Sequence, residues 1–153
     1  MGKLADIIRS SNKKVKLIGL DANYKNLINN QKFFNKTYVI PRPNSPNFIK
    51  HILKILCNEN MIILIPGSDE EAAEISKNIN IFTKKNIVCN VMEYKVIKSI
   101  SDKYKLYQQC KKILGDNYIE SYLIEDNRKL DIYAKHLGYP ENDLIIKPRV
   151  GRG

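Results

Sequence analysis

MIILIPGSDEE, residues 61–71, decides the fold class. Met61–Ile65 is a continuous apolar run, of the length and β-branched character of a strand buried in a parallel sheet. Pro66-Gly67 ends it, and Ser68 or Asp69 is suited to cap a helix. Glu70 and Glu71 then sit where the partial positive charge of a helix N-terminus favours carboxylates. That helix is expected to run to about Lys85, with a further strand at Ile87–Val91. A strand, a tight break and a capped helix are the repeating unit of an α/β protein.

Working outward, the same alternation recurs. Leu4–Ser11 reads as a short helix, Val15–Leu20 as a strand ending at Asp21, and Thr37–Ile40 as a strand closed by Pro41. Phe48–Cys57 carries Phe48, Ile52, Leu53 and Leu56 on one helical face. Together these predict a parallel sheet covered on both faces. From Tyr94 the character changes. Helices are expected at Tyr94–Ile100 and Asp102–Leu114, a polar-interrupted strand at Tyr118–Ile124, and a helix at Asn127–Leu137 stopped by Gly138 and Pro140. A domain boundary is placed near residue 100, giving 1–100 and 101–153.

Composition sets outer limits. An apolar fraction of 43% is that of a globular chain, and 26 Lys+Arg against 16 Asp+Glu leaves a net charge of +10. Such an excess suits anionic partners, or simply solvated faces rich in lysine. No zinc-finger spacing or RNA-recognition string marks a nucleic-acid module. Cys57, Cys89 and Cys110 are isolated, and His51 and His136 have no partner at ligand spacing, so neither a disulfide framework nor a metal site is expected. No signal peptide or membrane-spanning run is present, which makes a reduced cytoplasmic setting the default.

The chemistry concentrates near the C-terminal end, in IIKPRVGRG at residues 145–153. An apolar strand, Leu144–Ile146, is expected to deliver Lys147 into a basic, glycine-containing loop. Glycine lets a backbone approach an anion closely and turn N–H groups toward it, and Lys147, Arg149 and Arg152 supply opposite charge. A β-turn with basic decoration is the plainer reading. Asp102-Lys103 opens a helix, with Asp102 a natural N-cap. Asp69 and Glu71 follow a strand end, the edge where open α/β sheets bind ligands; helix capping alone also accounts for them. Asp21 either binds a ligand or caps a turn. No Walker A string, G-x-S-x-G elbow or complete G-x-G-x-x-G occurs.

These motifs come in a familiar order: Asp21, then Tyr38-Val39-Ile40-Pro41, then Pro66, Asp69 and Glu71, then Asp102-Lys103, Gly138-Tyr139-Pro140 and Lys147 to Gly153. In that order the chain resembles the ATP-grasp superfamily, in the branch of the carbamoyl phosphate synthase large subunit. The resemblance implies a Rossmann-like pre-ATP-grasp domain with a parallel sheet, followed by the first (α+β) subdomain of an ATP-grasp fold. It implies that Lys103 and Lys147 hold ATP phosphates, Lys147 also lying near the adenine. Gly151, Arg152 and Gly153 would close over the β and γ phosphates, and Asp69 and Glu71 would line the acceptor-substrate side. It further implies an ATP-dependent ligase that joins a small-molecule carboxylate to an amine or thiol through an acyl phosphate. ATP and Mg²⁺ are the cofactors, neither nucleic acid nor membrane is a partner, and a homodimer is open. The family's Mg²⁺ ligands lie downstream of this loop.

A doubly wound sheet ordinarily starts with a strand, whereas this chain starts with a helix at Met1-Gly2-Lys3-Leu4. The expectation is therefore a fragment or split-gene product lacking a central strand and inactive by itself. Two other classes stand beside this reading: a non-catalytic Rossmann-like module that binds a small ligand or regulates a partner, and a basic nucleic-acid binder whose affinity would fall steeply with salt.

Overall fold

The computed structural model describes residues 2–11 and 14–151. The chain divides into two compact units, Met1–Glu93 and Tyr94–Gly153. The division falls before the helix Tyr94–Ile100, which thus belongs to the second unit instead of closing the first.

The first unit alternates helix and strand: α1 (Gly2–Ser11), β1 (Ile18–Asp21), α2 (Tyr24–Asn30), β2 (Lys36–Val39), α3 (Phe48–Asn58), β3 (Ile63–Leu64), α4 (Asp69–Lys77), α5 (Ile79–Thr83) and β4 (Val88–Cys89). Its core is built on α3. Phe48, Ile52 and Leu56, spaced by four, are buried and meet Ile40, Leu64, Ile75, Phe82 and Ile87. The helical period of α3 and the short strands thereby feed one apolar cluster.

The strands are parallel, as the alternation requires, but they form two pairs where one sheet was expected. β1 pairs with β2, Ile18 opposite Lys36, and β3 pairs with β4, Ile63 opposite Val88. The run Met61–Ile65 contributes a ladder only at Ile63–Leu64. Leu64 is buried, whereas Ile62 and Ile63 are exposed. The sheet is therefore covered on one face there, and the apolar run specified strand without specifying burial on both sides.

Both αβ connections use the same turn. Asn60 and Asn86 adopt φ of 54° and 57°. Met61 N–H donates to Leu56 O at 2.8 Å, and Ile87 N–H to Phe82 O at 3.1 Å. This closes the helix with its last carbonyls satisfied and turns the chain into the next strand. Asparagine tolerates the left-handed region better than other side chains. Within the helix expected from residue 69 to 85, Asn78 makes a break. Its side-chain amide donates to Glu74 O and Oε1, competing with the backbone ladder, so α4 and α5 are separate.

In the second unit, α6 (Tyr94–Ile100), α7 (Lys103–Leu114) and α8 (Leu130–His136) appear as expected, with a 3₁₀ turn Asn127–Lys129 ahead of α8. The expected strands Tyr118–Ile124 and Leu144–Ile146 do not form. A strand needs a ladder partner, and among the described residues neither segment has one. Ile145 and Ile146 are exposed.

Candidate functional site

The side chains of interest in the second unit gather where α7 begins. Asp102 takes an extended backbone conformation, and its Oδ1 accepts from the N–H groups of Tyr104 and Lys105, both at 3.1 Å. It is a true N-cap, satisfying two of the orphan donors of the helix. Its other oxygen, Oδ2, accepts from Arg149 Nε at 2.9 Å and lies 2.8 Å from Arg149 Nη2. The Arg149 guanidinium, with help from the two α7 amides, pulls the Asp102 carboxyl down to about 2.

Lys103 joins the same loop by backbone and side chain. Its N–H donates to Arg149 O at 2.9 Å. Its ammonium donates to Pro148 O at 3.1 Å and Gly151 O at 2.5 Å. The segment 148–151 therefore wraps the start of α7, with Gly151 at φ of 92° where the chain turns. In that conformation an L side chain would be strained.

The structure thus brings Asp102-Lys103 and the C-terminal loop together, as one basic corner. It does not aim every predicted residue the same way. Lys147 is exposed and has no bonded partner among the described residues, so its ammonium is free to meet an anion. Lys103 instead spends its donors on loop carbonyls. Arg152 and Gly153 lie outside the described residues. Lys147 was expected to leave a buried strand, but Ile145 and Ile146 before it are exposed and lie outside any strand, for want of a pairing partner among the described residues.

In the first unit, Glu71 accepts from Gly67 N–H at 2.7 Å, while Glu71 N–H donates to the Ser68 hydroxyl at 3.2 Å. This is a reciprocal N-terminal cap of the Ser-x-x-Glu kind. Asp69 sits exposed in the first turn. Asp21 organises the turn into α2: its oxygens accept from Asn23 N–H and the Asn26 amide. Both strand-end carboxylate positions therefore have local structural work.

Two features escaped the sequence reading. The Asp102–Arg149 pair spans 47 positions, and nothing in local spacing announces it. The other is Glu59, the buried acid of the first unit. It is held by Lys16 and Lys36 at 2.7 and 2.9 Å and by the Tyr38 hydroxyl, which donates to it. Those hydrogen bonds hold its carboxyl at about 2. The only sequence signal was an acidic residue just past a helix with lysines opening the neighbouring strands. Among the described residues no group of three or more His, Cys, Asp or Glu could hold a metal ion.

A similar fold is found in an ATP-grasp enzyme, the biotin carboxylase domain dimer of Hydrogenobacter thermophilus 2-oxoglutarate carboxylase, in a crystal structure in complex with MgADP, ADP and bicarbonate. The TM-score is 0.55 at 16% identity, over 91% of this chain. The chain spans 31% of the length of that chain. At this identity the likeness is one of fold. No protein-family model matches the chain, and no curated protein matches it. No helix among the described residues is long and apolar enough to cross a membrane.

Proposed function

We propose that this chain supplies the phosphate-binding corner of an ATP-grasp ligase that joins a small-molecule carboxylate to an amine or thiol, similar to the carbamoyl phosphate synthase large subunit. The observation that supports this reading is the convergence of Asp102-Lys103 and the Lys147–Gly151 loop, from opposite ends of the second unit, on one basic corner. Lys103 fixes the loop, and Lys147 presents an unengaged ammonium beside it. Gly151, Arg152 and Gly153 would approach the β and γ phosphates with backbone N–H groups and charge. In this scheme a carboxylate oxygen attacks the γ phosphorus, ADP leaves, and the nucleophile then expels phosphate from the acyl phosphate. Cations aimed at the transferring group stabilise the charge that develops on it.

ATP and Mg²⁺ are the cofactors of this reading, although among the described residues no group of three or more His, Cys, Asp or Glu could hold the metal ion. ATP is the ligand the corner fits. Asp69 and Glu71 are assigned to the acceptor side. A cytoplasmic homodimer acting on small molecules completes the reading; the ATP-grasp neighbour is itself a domain dimer. A non-catalytic ligand-binding or regulatory module is favoured by one observation: the Lys103 ammonium is committed to carbonyls, as a structural latch would be.

Titration calorimetry with a non-hydrolysable ATP analogue separates the two. The ligase reading expects Lys147→Ala to weaken binding far more than Lys135→Ala, a change on the exposed side of α8. Equal affinities would remove Lys147 from the phosphate site. A coupled ADP-release assay with Mg²⁺ and a panel of carboxylates and amines is expected to stay at background for this chain alone.

A further inference from the structure

Arg149 is the cation of the basic corner whose charge is already answered. Its Nε donates to Asp102 Oδ2 at 2.9 Å, and its Nη2 lies 2.8 Å from the same oxygen. The Arg149 side chain is 44% exposed and that of Asp102 only 14%, so solvent reaches the guanidinium far more than the carboxylate.

The main chain of the loop does not depend on that ion pair. Lys103 N–H donates to Arg149 O, and the Lys103 ammonium donates to Pro148 O and Gly151 O. Asp102 is fixed from its other side, where Oδ1 accepts from the Tyr104 and Lys105 amides. The guanidinium is therefore the part of the corner that can move while the carboxylate and the loop backbone stay. Its planar fork of donors fits phosphate as well as it fits carboxylate.

We propose that Arg149 is a phosphate ligand held in reserve and that Asp102 is its competing counter-ion. In the free chain the guanidinium rests on Asp102 Oδ2; when a polyphosphate reaches the loop, it exchanges that oxygen for a phosphate oxygen. The inference rests on the reading of this corner as a phosphate site and adds a regulation of that site. The pair also selects among anions. An incoming carboxylate offers Arg149 no more than Asp102 already gives, whereas a polyphosphate carries more charge on more acceptor oxygens. Asp102 thus lowers affinity for every anion and leaves polyphosphate as the one that displaces it.

The test is titration calorimetry of the full chain with inorganic tripolyphosphate, without metal. The variants are Asp102→Asn, Arg149→Gln, the two combined, and Glu125→Gln. Asparagine caps a helix as well as aspartate does, so Asp102→Asn keeps the start of α7 and removes only the charge on Arg149. Asp102→Asn is expected to bind tripolyphosphate about two- to fivefold more tightly than the wild type, the range an exposed ion pair commands. In the Arg149→Gln background the same substitution is expected to change nothing. Glu125 acts on Arg149 through its charge alone, and Glu125→Gln is expected to change affinity by less than about 1.5-fold. Unchanged or weaker binding by Asp102→Asn overturns the proposal, because Asp102 then serves only to place the loop. A gain that persists without Arg149 overturns it as well, as an effect of the general field. So does the absence of tripolyphosphate binding in both wild type and Asp102→Asn. The nucleotide is tested apart from this: a non-hydrolysable ATP analogue that binds no more tightly than tripolyphosphate removes ATP from the reading of the corner and leaves the Arg149 exchange standing.

Discussion

The two units hold themselves together by different means. In Met1–Glu93 most of the buried apolar residues, all but Ala5 and Leu27, form a cluster around α3. In Tyr94–Gly153, Ile97 and Tyr107 are the buried hydrophobics among the described residues. The rest is stacking, with Tyr107 between Tyr104 and Tyr118 and with Tyr122 on Tyr133 at 4.7 Å, plus the polar ties of Asp102 and Lys103 to the loop. The first unit depends on non-directional burial, the second on directional contacts between distant residues. Hence the first is sensitive to volume and the second to charge and to what binds it.

The largest break should come from volume. Phe48 is fully buried, and Phe48→Ala is expected to cost about 3–5 kcal/mol. Denaturant unfolding followed by exchange protection in both units will show loss in the first with the α7–loop bonds retained. Equal loss in both would mean that the units do not fold separately.

Next in size is the ligand contact of the second unit. Lys147→Ala should lower affinity for an ATP analogue by about 1.5–3 kcal/mol, or roughly ten- to more than a hundredfold. Lys135→Ala, acting through the general field, should change it by less than about a few-fold at physiological salt. Neither variant should alter stability of the first unit.

Acid separates the units more gently. Glu59 has its carboxyl lowered from 4.5 to about 2, so its stabilising contribution is complete above pH 4.5 and is lost as pH falls from there toward 2. Asp102 does the same for the loop between 3.8 and about 2. Melting curves at stepped pH should show Glu59→Gln removing the acid-sensitive part of the first unit's stability. Protease sensitivity of the 148–151 loop should still rise in acid in that variant. The smallest effect expected is from Ser68→Ala, about 1 kcal/mol for a lost N-cap, read in chemical unfolding of the first unit.

The same contrast explains what the sequence made legible. Features written locally were readable: the face of α3, the Ser68 cap, the span Tyr94–Ile100 and Asp102 as the start of α7. Where one residue alone redirects the chain, the reading slipped. Asn78 splits a helix whose apolar pattern continues past it. α2 was not anticipated, since YKNLINN offers only Leu27 and Ile28 as apolar positions, and its start is set by the Asn23 side chain accepting from Lys25 N–H. What lay between distant residues was not readable at all. The Arg149–Asp102 pair, the Lys103 grip on the loop and the lack of a ladder for Leu144–Ile146 among the described residues depend on distant residues that no window of sequence contains. The basic corner was therefore visible as two motifs, but their junction was not.

The division of labour within Asp102 has a mechanical consequence. One oxygen holds the first turn of α7 and the other holds Arg149. The carboxylate is thus a coupling rod between a helix and a loop. An anion that draws the Arg149 guanidinium off Asp102 frees that oxygen, and the carboxylate is then held by the helix amides alone. Arrival of charge at the loop would be registered in the first turn of α7, at the Tyr104 and Lys105 amides that the same carboxylate caps, and their exchange would report occupancy of the loop.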